Sequence, residues 1–262
     1  MTTVSAPFGD LLRQWRQLRR VSQLDLSSEA DISTRHLSFV ETGRSRPSRD
    51  MVIRIAEHLD VPLRDRNRML LAAGYAPAYP ENDFASTDMA GARQAVREVL
   101  VAHEPYPALA IDRTWNVLDA NAGVSLLTRV ASPAMLAADP LNALRLTLHP
   151  DGMAPHIVNL GQWRAAVLGG LRRNAQARAD ADMLALHDEL AAYPCDDPAD
   201  HSDAKAAVHV PFRLRVGQQE LSFLAIISTF GTALDITLSE LAIESFFPAD
   251  PQTAGYLREH MT

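Results

Sequence analysis

Several kinds of chemistry are excluded by what this chain of 262 residues lacks. Its single cysteine, Cys195, cannot close an internal disulfide and cannot build a Cys-rich metal site. Long apolar runs are missing too: the longest aliphatic and aromatic stretch, Phe223 to Ile227, is far short of the ~20 residues that span a bilayer. Asp10, Arg13, Arg16, Arg19 and Arg20 interrupt the first apolar stretch, which a secretory signal would keep clean. A cytoplasmic protein with no membrane partner is expected. There is no Gly-x-Ser-x-Gly elbow, phosphate loop or dinucleotide fingerprint, so neither an enzyme nor a bound cofactor is expected. His149 and His156 flank Asp151 without a third strong ligand at helical or hairpin spacing. Asp196, Asp197, Asp200, His201 and Asp203 read as a solvated acidic loop, and no metal site is assigned.

What is present is an ordinary globular composition, 47% hydrophobic and 22% charged, long enough for two domains. The net charge of −7 hides a polarity. Residues 1–74 carry 12 Arg and no Lys against 9 acidic residues, or +3, whereas residues 75–262 carry 12 Arg and Lys205 against 23, or −10. A basic head precedes an acidic body.

In the head, Phe8, Leu11, Leu12, Trp15 and Leu18 mark one face of a first helix. Ser22 and Ser33 can cap a second and a third, separated by a short Asp31-Ile32 turn, and Gly43 can end the third in a left-handed conformation. A fourth helix is expected over 48–59, and a fifth from Pro62 to Gly74. Residues 75–91 show no period and read as a linker. In the body, 92–262, helices are expected near 91–102, 121–129, 133–138, 160–171 and 181–192, with strands near 108–111 and 115–119. Alternation from Val208 to Val216 predicts a strand, which Pro211 places at an edge. Leu221–Phe230, apolar on both faces, predicts a central strand, and Leu241–Phe247 the last.

Helices two and three form a helix-turn-helix, which lays its second helix in the major groove of DNA. Gln23 can bond a phosphate and aim its helix N-terminus at it. With Leu37 and Val40 anchoring helix three, Ser33, Thr34, Arg35 and Ser38 lie on or beside its outer face, where hydroxyls and a guanidinium can read base edges. Arg44 and Arg46 follow in a loop suited to the sugar-phosphate backbone. These residues resemble the XRE-type helix-turn-helix family through Ser22-Gln23-Leu24-Asp25-Leu26, Ser33-Thr34 and the run Glu41-Thr42-Gly43-Arg44-Ser45-Arg46-Pro47-Ser48. The resemblance implies a sequence-specific transcription regulator. Asp31 stands where such turns often carry Gly.

The body's order of elements resembles a PAS-like domain, which implies helices over a five-stranded antiparallel sheet and an α+β class for the whole chain. More narrowly, Trp115-Asn116-Val117, Asp119-Ala120-Asn121-Ala122, Thr229 to Asp235 and Glu244 to Asp250 look like the MmyB-like regulators. That resemblance implies an XRE-type head joined to a ligand-binding body, with a fatty-acid-like or other small apolar effector. Trp115, Asn121, Trp163, Val167, Leu171, Phe223, Ala225 and Ile227 are the expected wall of its pocket, with Arg145, Arg164 and Arg172 as partners for a ligand carboxylate. A homodimer on a palindromic double-stranded operator is expected. The rival is a ligand-independent regulator whose acidic body is a dimerisation or docking module.

Overall fold

The computed structural model describes residues 6–197 and 209–260, so Asp200, His201, Asp203 and Val208 lie outside the described residues. The chain divides into two compact units, one running through Glu81 and including Ala233–Ile236, the other Asn82–Thr232 with Thr237 onward.

The first unit holds helices α1 (Phe8–Leu18), α2 (Gln23–Glu29), α3 (Thr34–Glu41), α4 (Arg49–His58) and α5 (Leu63–Ala72). The expected caps at Ser22 and Ser33 are formed, and Ser48 caps α4 in the same way: the three accept from the backbone N–H of Asp25, His36 and Met51. Such caps contribute about 1 kcal/mol each. Leu12, Trp15, Leu26, Leu37, Ile55 and Met69 are buried in one core, each worth roughly 1.5–3 kcal/mol in removed apolar surface. Gly43 ends α3 at φ +72°. Asp31 takes φ +52° in the α2–α3 turn, a region that aspartate enters more readily than most side chains. Residues 75–79, read above as linker, pack onto this unit: Tyr75 and Ala78 lie against the core, and Asn67 bonds the backbone of Ala78 and Tyr79.

The second unit is built on β1 (Ala108–Ile111), β2 (Val117–Ala120), β3 (Phe212–Val216), β4 (Gln219–Thr229) and β5 (Ala242–Pro248). They form one sheet, in the order β2-β1-β5-β4-β3, with every neighbour antiparallel. Its helices are α6 (Ala90–Ala102), α7 (Ala122–Thr128), α8 (Pro133–Leu136), α9 (Ala143–Leu148), α10 (Leu160–Arg178), α11 (Ala181–Ala191), α12 (Ile236–Glu240) and α13 (Pro251–His260). Alternation along β1 splits the core. Leu109 and Ile111 join the main cluster with residues of α7, α9, α10 and α11, whereas Ala108 and Ala110 face Val96 and Leu100 of α6.

One strand expectation changes; β5 occupies the middle of the sheet, because pairing order is set by non-local contacts. The strand β4 does have neighbours on both sides, but its pairing to β3 stops at Phe212↔Phe223. Its second half therefore keeps only β5 as neighbour, and Ile226 and Ile227 are half exposed rather than buried on both faces. As expected, β3 is an edge strand with Pro211 just before it.

Candidate functional site

In the first unit the outer side of the helix-turn-helix is organised by one buried carboxylate. Glu41 is 3% exposed and accepts Arg16 Nε at 2.7 Å and Nη2 at 3.2 Å. It also accepts Gln23 Nε2 at 2.7 Å, so α1 and the start of α2 are fixed to the end of α3. The Gln23 amide is thereby oriented at the α2 N-terminus, with one N–H left to donate. Along α3, Ser33, Thr34 and Arg35 are exposed and Ser38 is half-buried. Ser33 Oγ caps α3 and keeps its O–H free to donate. Thr34 Oγ1 lies 2.9 Å from Ser27 Oγ, whose own proton goes to Leu24 O, so Thr34 donates there and offers outward only lone pairs.

The guanidinium groups of Arg35 and Arg44 both lie over the Phe39 ring, 5.4 and 6.0 Å from its centroid. Stacking of this kind orders two exposed cations without neutralising them. Arg46 is exposed and also tied to the backbone. Its Nε and Nη2 bond Ala73 O and Gly74 O and it stacks on Tyr75, so two of its five N–H donors close the end of α5. Sequence reasoning missed Phe39, the platform, and His36, exposed on α3 beside Ser45. The three-residue step from His36 to Phe39 on one helix face was the available signal.

In the second unit a cavity of about 430 Å³ lies between the main face of the sheet and α7, α9 and α10, a size ordinary for a small-molecule site. Trp115, Trp163, Val167, Leu171, Ala225 and Ile227 line it, so the structure brings six of the eight expected wall residues together. The other two are corrections. Asn121 is 4% exposed and is held entirely by backbone, accepting from Ala108 N–H and donating to Leu100 O and Tyr106 O. It ties the end of α6 to β1 and is not in the wall. Phe223 is fully buried in a ring cluster with Phe212 and Phe246, and it is Phe212 and Phe246 that reach the cavity.

Trp115 sits at φ +68°, a conformation that costs roughly 1–3 kcal/mol for a bulky residue. The surrounding turn holds it there: Trp115 N–H donates to Asp112 O, and Trp115 O accepts from Ala143 N–H. Its indole is thus fixed in the wall. The polar lining is sparse. Thr128 and Thr147 give their hydroxyls to Val124 O and Ala143 O within their own helices. None of the three arginines reaches the wall. Arg145 forms a fork with Glu189 at 2.7 Å on both arms, and Arg164 bonds Ala191 O and Tyr193 O. The hydrogen bond from Arg145 holds Glu189 below the usual carboxylate range, while burial and its bond to Glu189 push the Tyr193 hydroxyl up to about 12.

A buried carboxyl group lines the cavity, and it was not foreseen. Glu244 of β5 is 7% exposed, and burial pushes its carboxyl up to about 7. The signal in the sequence was a carboxylate on the inward-facing register of a strand, two residues from Phe246. Among the described residues, no three potential metal-ligating side chains gather, and no helix is long and apolar enough to cross a membrane.

Comparison with known proteins agrees with this division. Residues 12–65 match the helix-turn-helix family model, and residues 92–259 match the MmyB-like transcription regulator ligand binding domain. No curated protein matches the chain. The first match covers the helix-turn-helix that carries the exposed α3, and the second covers the domain that holds the apolar cavity: the chain belongs to the MmyB-like transcription regulators, DNA-binding proteins with a ligand-binding domain.

Proposed function

We propose that this regulator sets its affinity for a DNA operator by the occupancy of the apolar cavity, and that the occupant is a small molecule with a fatty-acid-like chain. The observation that carries the reading is the cavity itself, whose wall is mostly aliphatic and aromatic and lies inside the domain matched as ligand-binding. A PAS-like description of that domain is supported by its five antiparallel strands with helices packed on both faces.

On the DNA side, Arg35, Ser33 and Ser38 of α3 read base edges, Gln23 and Arg44 hold phosphates, and Thr34 accepts where a base donates. One α3 offers few base contacts, so a homodimer on a palindromic double-stranded operator in the cytoplasm completes the reading. Coupling has a covalent route. The chain leaving β4, whose Ala225 and Ile227 line the cavity, enters the first unit at Ala233–Ile236, where Ile236 N–H donates to Pro80 O. A ligand that favours one arrangement of β4 shifts DNA affinity by its differential affinity for the two arrangements, typically ~1–3 kcal/mol.

Extraction of the purified protein with organic solvent, followed by mass spectrometry, tests the ligand claim. A stoichiometric long-chain molecule is expected. An empty extract, together with operator binding indifferent to added alkyl chains, would leave the body as a dimerisation or docking module.

A further inference from the structure

The cavity contains a carboxyl group that no described residue pairs with. Glu244 pairs across the sheet with Leu109 of β1 and Ile227 of β4, so on its own face of the sheet both flanking side chains are apolar and also line the cavity. Its carboxyl receives no hydrogen bond from any described residue and has no ion-pair partner among them. Across the cavity α10 presents Val167, Leu171 and Trp163, whose buried indole N–H has no hydrogen-bond partner among the described residues, with Asn174 at the exposed end. Thr128 of α7 and Thr147 of α9 have their protons committed to their own helices. Among the described residues the other titratable side chain in the wall is the exposed His209, and no lysine or arginine lines the cavity.

A carboxyl that lines an apolar cavity, with no donor from the described residues, leaves its acceptor sites to a molecule that brings one. We propose that Glu244 is the recognition point of the cavity and takes the buried end of an apolar molecule that carries a hydrogen-bond donor, a hydroxyl or an amine. This rests on the reading of the cavity as a ligand site and specifies the head of that ligand. A hydroxyl donates to the carboxyl in either of its states. An ammonium pairs with the carboxylate and favours its ionised form, as burial alone does not. A fatty acid fits at this point only when a proton remains between the two carboxyl groups, because two carboxylates in one apolar site repel.

The test is calorimetric titration of the full-length protein with decanol, decylamine, decanoate and a decyl ether lacking any donor, at pH 6 and pH 8. The parent is compared with Glu244→Gln and Glu244→Leu, with circular dichroism confirming the fold of each. At pH 8 the alcohol and the amine are expected to bind about tenfold or more tighter than decanoate or the ether. From pH 6 to pH 8, the amine should tighten, decanoate weaken and the alcohol change little. Glu244→Gln keeps an acceptor, so it should retain the alcohol and lose the pH response of the amine; Glu244→Leu should bind all four chains alike. Decanoate binding at pH 8 as tightly as decanol, or an unchanged ranking in Glu244→Leu, overturns the assignment. Binding of all chains by the parent without head preference overturns it while leaving the cavity a ligand site. Failure of every chain to bind removes the ligand site as well.

Discussion

At the scale of single residues, the same physics divides the DNA face into readers and holders. Arg35 is exposed on α3 and stacked on Phe39, so Arg35→Ala should relax base preference at one position by ~1–3 kcal/mol. Arg44 stacks on the same ring from the following loop, and Arg44→Ala should weaken all sequences about equally while lowering the salt slope by ~1. Operator titrations across several salt concentrations distinguish the two; identical behaviour of both variants would contradict the division. In the cavity, Glu244 gives a stability signature independent of any ligand. Its carboxyl ordinarily titrates at 4.5 and is raised to about 7 by burial, so the folded chain holds the extra proton between those values. Stability is therefore lost as pH rises through that window, by roughly 3 kcal/mol in all. Urea unfolding at pH 5 and pH 8 should show the loss in the parent and its disappearance in Glu244→Gln, and parallel profiles would refute it. Apolar wall residues such as Val167 and Leu171 were legible because helical period and strand alternation point inward. Glu244 was not, because a charged residue is read as surface by default, and Asn121 misled because its capping position also suits a backbone clamp.

At the scale of elements, local signals located most of the helices and pairing decided the rest. Ser22, Ser33 and Ser48 announce α2, α3 and α4, and Gly43 announces the end of α3. The close approach of α1 to α3 was not announced. A Cβ on Gly9 would lie 2.4 Å from Glu41 O, so Gly9→Ala must push the two helices apart and disturb the Arg16–Glu41 fork. A loss of about 1–3 kcal/mol is expected, read as a lower midpoint in urea; an unchanged midpoint would show the helices to be free to separate. Helices α9 and α12, six and five residues long, are too short for a period to emerge, and α13 follows a Pro-containing loop that reads as a stop. The order β2-β1-β5-β4-β3 was beyond a local reading because the last strand in sequence inserts between β1 and β4.

At the scale of the whole molecule, a basic DNA-binding head and an acidic ligand-binding body serve one function only if the two sites are coupled. Coupling is reciprocal: whatever the ligand does to DNA affinity, DNA does to ligand affinity by the same factor. Ala225 lines the cavity on β4, so Ala225→Trp should fill the space without touching α3 or its arginines. The most direct measurement is an operator titration of the parent and of Ala225→Trp, with and without saturating decanol. The account predicts a shift of about fivefold or more in operator affinity for the parent and superimposable curves for the variant; parent curves that coincide with and without a ligand shown to occupy the cavity would contradict it.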